Sequence, residues 1–215
     1  LRVGLLLGAV ALSRFMTQLK TYWVLQSTLG AAILATFAWT GHGAMTDGWA
    51  GMLHTGADIL HLWVAGVWFG ALVPLAVLIA RAHRTRSLLD AGEARFALDR
   101  FSAIGTVVVT ALAITGLINS WFLIDIRNLE SAVSTGYGKV LVLKLGLFGV
   151  MLSIAAANRF RLTPCLQEDL TSLSKDNGVS LRALRISILT EVAMAALVLV
   201  AVGFLGTLPP PSAGV

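Results

Sequence analysis

Five stretches of this chain are apolar and long enough to cross a lipid bilayer as single helices. They cover residues 22–40, 53–80, 101–124, 137–160 and 184–208. A crossing helix needs about 20 apolar residues, because the hydrocarbon core is ~30 Å thick and each helical residue rises ~1.5 Å. A sixth stretch, residues 3–12, is too short to cross. We expect it to be the end of a helix whose beginning lies outside this chain.

The overall composition supports a membrane protein. Hydrophobic residues make up 57% of the 215 positions and charged residues only 13%, too few to cover the surface of a soluble domain of this size. We therefore predict an all-α fold, a polytopic transmembrane helical bundle of about six helices with the first one incomplete, forming a single domain over residues 1–215. The one cysteine, Cys165, excludes an internal disulfide and a multi-cysteine metal site.

Positive charges are segregated along the chain. Lysines and arginines cluster in the connections at residues 13–21, 81–100 and 159–185. The connections at residues 41–52 and 125–136 contain one cation between them, Arg127. Since Lys and Arg concentrate in cytoplasmic loops, we predict that the three basic connections are cytoplasmic and that the C-terminus is periplasmic. The net charge of +5 therefore indicates topology rather than nucleic-acid binding.

The stretch at residues 53–80 differs from the others, because its beginning carries ionisable side chains. At ~100° per residue, Asp58 lies about 40° from His54 around the helix, and His61 lies about 20° from His54 on the other side. The three side chains therefore share one face. Ionisable groups inside an apolar span are costly, and they usually face the bundle interior or a polar pathway. This face is a candidate functional site.

Spacing limits how these residues could hold a metal ion. His54 and His61 are separated by about 10 Å along the helix axis, whereas two imidazoles on one ion bring their nitrogens within about 4 Å of each other. We therefore interpret the face as a two-step ladder rather than a closed cage. His54 with Asp58 forms the outer step, and Asp58 with His61 forms the inner step. Alternatively, Asp58 hydrogen-bonds a ligating ring instead of the ion.

Nearby residues favour copper as the metal. His42 and Met45 lie in the outward connection before this helix, and Met52 lies at its beginning. Imidazole suits copper, zinc and iron, and thioether sulfur favours Cu(I). A structural interpretation stays open on the residues alone. Membrane histidines often only hydrogen-bond neighbouring helices, and an ion pair of Asp58 with Lys144 would satisfy both charges without a metal.

Several motifs of this chain, taken together, resemble the copper-resistance D (CopD) family of membrane proteins. In chain order they are Thr40-Gly-His42-Gly-Ala44, His54, Asp58, His61-Leu-Trp63, Trp68-Phe-Gly70, Leu72-Val-Pro74-Leu75, Thr135-Gly-Tyr-Gly-Lys139, Lys144 and Asn158-Arg-Phe-Arg-Leu162. The agreement covers most of residues 40–162, within a family-like core of about residues 40–208. The resemblance implies a bacterial inner-membrane copper transporter, with His42, His54, Asp58 and His61 at the matching polar positions.

We accordingly predict a copper transport protein and not an enzyme. His42 and His54, with Met45 beside them, would capture the ion on the periplasmic side, and Asp58 and His61 would pass it inward. Copper is then the substrate, and no haem cofactor is expected. The expected partners are the copper ion, the lipid bilayer and a periplasmic copper-binding protein, and not nucleic acid. The chain has no P-loop or other nucleotide-binding motif, which disfavours an ATP-driven pump.

Two other functions stay open. One is a haem-b-type membrane redox protein, although transmembrane haems are held by histidines from facing helices and the intramembrane histidines here belong to one span. The other is a copper-binding assembly or sensor protein that transports nothing. Sequence leaves the direction of transport open.

Further polar residues lie in the other spans. Glu191 lies in the inner half of the last one. We expect it to pair with Asn158 or Arg159, and a relay of protons or copper is the alternative. Asn119 and Ser120 are predicted to hydrogen-bond between helices.

The charge segregation predicts a topology that cysteine labelling can check. In a Cys165→Ser background, Ala44→Cys should react with a membrane-impermeant reagent added to intact cells, because the connection at residues 41–52 is predicted to be periplasmic. Ser172→Cys should react only after the membrane is permeabilised. The opposite result, with Ser172→Cys alone reacting in intact cells, would invert the assignment.

Overall fold

The structure, a computed structural model, describes residues 2, 4–6, 10, 20–39, 48–124, 133–171 and 177–209. All regular secondary structure over these ranges is helical. The helices are α1 (Lys20–Ala38), α2 (Gly48–Thr85), α3 (Leu88–Leu123), α4 (Gly136–Ala157), α5 (Thr163–Thr171) and α6 (Asn177–Leu205), and a π-helical turn (Asn158–Leu162) joins α4 to α5. The described residues before α1 are also helical. The all-α prediction with a short first helix is confirmed.

Four helical segments of the described chain are long and apolar enough to cross a membrane. They are Gly48–Thr85, Leu88–Leu123, Gly136–Thr171 and Val179–Leu205. Large apolar side chains point outward from them; Leu117, for example, is 72% exposed. Extensive exposed apolar surface is rare in soluble proteins and suits contact with lipid. The prediction of a multi-pass membrane protein is confirmed, whereas the crossing of α1 stays a prediction.

Two basic connections differ from the sequence-based expectation, because in the described ranges they are mostly helical rather than loops. Only Arg86 and Ser87 separate α2 from α3. The helices extend this far because apolar side chains at helical spacing, interspersed among the charges, are buried together. This cluster includes Ala82, Ala91, Ala94, Leu98, Leu166, Leu181 and Leu184. The charged residues alone do not indicate this helical periodicity.

Asp90 holds the turn between α2 and α3. Its carboxylate forms an ion pair with Arg81 at 3.0 Å and accepts a hydrogen bond from the Thr85 hydroxyl at 2.6 Å. Arg86 adopts φ 52°, a left-handed conformation that redirects the chain. The last turn of α2 is therefore tied to the first turn of α3.

Proline explains the π-helical turn between α4 and α5. Pro164 has no N–H to donate to the carbonyl four residues earlier, and its ring would clash with that carbonyl in a regular α-helix. The chain widens instead, and the N–H of Thr163 donates to the carbonyl of Asn158. As a result, Asn158 lies at the end of α4 with its side chain buried.

The chain divides into two compact units. The first comprises Leu1–Gly66 and Ala111–Leu123, and the second comprises Val67–Thr110 and Ile124–Val215. In the first unit, the indole N–H of Trp63 on α2 donates to the carbonyl of Ala31 on α1 at 2.8 Å. In the second unit, α4 and α5 both pack against α6. That residues 1–215 form a single domain, with a family-like core of about residues 40–208, stays a prediction.

Candidate functional site

His54, Asp58 and His61 all belong to the first unit, where each contacts a side chain of α3. His54 is the most buried of them, at 3% exposure. Its ring stacks on that of Phe122, with the ring centroids 4.6 Å apart and the planes 12° from parallel. An imidazole held flat against an aromatic ring keeps one orientation, because rotation would break the packing.

Asp58 interacts with an amide on the facing helix. The Nδ2 of Asn119 donates a hydrogen bond to Oδ1 of Asp58 at 3.2 Å. The prediction that Asn119 bonds between helices is therefore confirmed. The same prediction for Ser120 is wrong, because its hydroxyl donates to the carbonyl of Gly116 in its own helix at 2.8 Å. The ion pair of Asp58 with Lys144 stays a prediction.

His61 is held by a hydroxyl. Its Nδ1 lies 2.8 Å from Oγ1 of Thr115, which is almost completely buried. The Thr115 hydroxyl donates its one hydrogen to the carbonyl of Ala111 at 2.6 Å, so its oxygen accepts from His61. This assigns the ring proton to Nδ1 and makes Nε2 the nitrogen with the lone pair. A neutral imidazole in this form can act as a metal ligand.

Gly116 on α3 lies next to the His61 ring. A Cβ at this position would lie 3.5 Å from Cε1 of His61, in ordinary van der Waals contact. The ring therefore lies over the backbone of α3, beside the Thr115 hydroxyl that it bonds.

The three contacts form one continuous line, which we call the α2–α3 seam. It consists of His54 with Phe122, Asp58 with Asn119 and His61 with Thr115. Residue numbers rise along α2 as they fall along α3, and the three contacts span seven residues on each helix. Residues three and four apart share a helix face, so two antiparallel helices bring these positions together in pairs.

Two members of the seam, Thr115 and Phe122, are not among the residues predicted from the sequence. A signal was nevertheless present, because Thr115, Asn119 and Phe122 have the same i, i+4, i+7 spacing as His54, Asp58 and His61. Pairing the two patterns would have identified them.

The seam offers two imidazoles and one carboxylate in succession rather than a cage. Within the described ranges, no group of three or more His, Cys, Asp or Glu side chains is arranged to hold a metal ion. The ladder, in which an ion meets successive ligands, stays a prediction. His42 and Met45 lie outside the described residues. The set of His42, Met45, His54, Asp58 and His61 as metal ligands stays a prediction.

Two family models match this chain. Residues 95–205 match the model described as "Copper resistance protein D", and residues 1–52 match "Copper resistance protein D-like, N-terminal domain". The α2 residues of the seam lie between the two matched segments, whereas its α3 residues lie within residues 95–205. No solved structure matches the chain significantly.

Three curated proteins are similar to it. Copper resistance protein D of Pseudomonas syringae pv. tomato is 36% identical over 211 residues, covering 98% of this chain and 67% of that protein. Copper transport protein CutJ of Bacillus subtilis (strain 168) is 33% identical over 143 residues, covering 66% of this chain and 25% of that protein. Inner membrane protein YebZ of Escherichia coli (strain K12) is 29% identical over 185 residues, covering 85% of this chain and 58% of that protein.

The seam predicts unequal effects for two neighbouring polar residues. Asn119→Ala removes the donor to Asp58, so it should lower the free energy of unfolding by about 1–2 kcal/mol. Ser120→Ala removes only a bond within α3 and should change it little. Unfolding of the purified variants in mixed detergent micelles measures both. Equal losses for the two variants would contradict the contact between Asn119 and Asp58.

Proposed function

The chain belongs to the copper resistance protein D family, and from that premise we propose that it moves copper ions across the bacterial inner membrane along the α2–α3 seam. The observation that carries this proposal is the orientation of His61 by Thr115. Metal-binding histidines characteristically donate their second ring N–H to a neighbouring acceptor, which fixes the tautomer and the direction of the ligating nitrogen. The seam supplies that arrangement within a span that is otherwise apolar.

The other seam residues suit the passage of a cation. The Asp58 carboxylate provides negative charge where a positive ion would otherwise face only apolar surroundings. Asn119 donates to that carboxylate and orients it without adding a charge of its own. Phe122 holds the His54 ring by stacking. Two imidazoles on either side of a carboxylate form successive binding steps for the ion.

His42 and Met45 extend the proposed path at its periplasmic end. His42 and His54 receive copper there, with the Met45 thioether suited to Cu(I), and Asp58 and His61 pass it on. The basic ends of α2, α3 and α6 are then cytoplasmic and the C-terminus is periplasmic. A periplasmic copper-binding protein is the proposed partner at the outer end. Copper can move along these successive ligands in either direction.

Copper flux into proteoliposomes tests this function. Wild-type protein should carry copper across the vesicle membrane, while His54→Ala and His61→Ala should each reduce the flux to the level of empty vesicles, since each removes a ligand. His83→Ala is the matched control, because it makes the same change on the same helix beyond the seam, and it should transport normally. Copper binding without flux in the wild type would instead indicate an assembly or sensor protein.

The Thr115 hydroxyl should matter specifically for copper affinity. Thr115→Val keeps the volume but removes the acceptor for His61, so copper should bind about 10–100-fold more weakly. Thr115→Ser keeps the hydroxyl and should retain affinity. Thr28→Val is a control, because the Thr28 hydroxyl donates only to a carbonyl of its own helix. Competition with a copper chelator measures all four proteins. If Thr115→Val and the wild type bind copper with equal affinity, either His61 is not a copper ligand or Thr115 does not orient it.

A further inference from the structure

A second carboxyl is buried in the membrane-spanning part of the second unit. Glu191 on α6 is only 1% exposed. Its Oε1 accepts a hydrogen bond from Nδ2 of Asn158, which confirms the expected pairing with that residue. Among the basic side chains that the structure describes, none forms an ion pair with Glu191. An ionised carboxylate in such surroundings is costly, so an intramembrane acid of this kind usually has a function.

Glu191 and Asn158 line a cavity of about 330 Å³. Most of its wall is apolar, but two of its lining residues, Trp68 and Asn158, each carry a polar atom that the described protein does not pair. Nε1 of Trp68 and Oδ1 of Asn158 are both buried without a hydrogen-bond partner in the described ranges. The residues themselves are 4% and 5% exposed. One atom is a donor and the other an acceptor, which is the combination that a water molecule satisfies.

The cavity is large enough for several water molecules. One water needs only about 10–15 Å³ of such space, provided that polar partners are present. Glu191, Asn158 and Trp68 supply those partners. A short chain of water molecules at these polar groups would place the Glu191 carboxyl in hydrogen-bonded contact with the opening of the cavity.

Among the described residues, Arg159 is the only other charged residue that lines the cavity. It is exposed, and its guanidinium donates to the carbonyl of Ser102 at 2.9 Å and to the hydroxyl of Thr106, both on α3. The remaining described residues of the wall are not ionisable, so Glu191 is the one acid among them.

The π-helical turn contains the residue that bonds Glu191. Asn158 is the first residue of that turn. π-turns inside helices are frequent at functional sites, since they displace a side chain from its regular position. Here the displaced residue is the hydrogen-bond partner of the buried acid.

We propose that Glu191 is a proton-binding site that exchanges its proton with the aqueous phase through water in this cavity. A proton from water adds to the carboxylate to form the neutral acid, and the same O–H bond breaks when the proton returns, without any oxidation or reduction. The Asn158 amide donates to either form of the acid. In a chain that moves copper, which rests on the function proposed above, this site links copper movement to proton movement.

Infrared difference spectroscopy of the purified protein tests the site without copper. The C=O stretch of a protonated carboxyl should change as pH is varied, and Glu191→Gln should remove that signal. Glu93→Gln, at an exposed acid on α3, should leave it intact. A wild-type spectrum with no pH-dependent carboxyl signal that Glu191→Gln removes would overturn the proposal.

Trp68→Phe tests the water path with a smaller structural change. It removes the indole N–H and keeps an aromatic ring, so hydrogen–deuterium exchange of the Glu191 carboxyl should slow several-fold. Exchange in Trp68→Phe at the wild-type rate would show that the proton does not travel through this cavity.

Proteoliposomes that contain a pH-sensitive dye separate the two proposals. Wild-type protein should change the internal pH as copper enters, and Glu191→Gln should abolish that pH change. Copper flux with no pH change in the wild type would overturn the link and leave the copper function standing. A Glu191 infrared signal that titrates in a protein without copper flux would support the proton site and overturn the copper function.

Discussion

The hydrogen bond between Thr115 and His61 is the contact on which the rest of the site depends. It joins α2 to α3, and it determines which ring nitrogen carries the lone pair. Since the two helices are antiparallel, this contact also sets the register that brings Asn119 to Asp58 and Phe122 to His54. A shift of α3 by one residue would turn all three partners away from α2.

Two acids in the apolar parts of the spans, Asp58 and Glu191, each accept a hydrogen bond from an asparagine amide. The donors are Asn119 and Asn158. An asparagine amide supplies a donor and adds no charge of its own, so it orients the acid. Glu191 forms no ion pair with a described basic side chain, so its amide partner suits the reversible binding of a proton.

The sequence predicted the helical architecture well, because the length of an apolar stretch and the thickness of a bilayer together determine a crossing helix. It also predicted the shared face of His54, Asp58 and His61 from helical periodicity alone. It failed in the basic segments, where the burial of Ala91, Ala94 and other small side chains decides the structure. The α3 partners could not be derived residue by residue, since register between helices is a tertiary property.

We propose that the seam binds copper through oriented imidazoles, and X-ray absorption at the copper edge of the copper-loaded, purified protein tests this binding. We expect imidazole nitrogen scattering in the wild type, reduced in His61→Ala and disordered in Thr115→Val, where the ring loses its support. Copper surrounded only by sulfur or by non-imidazole ligands, with a spectrum that His61→Ala leaves unchanged, would contradict it.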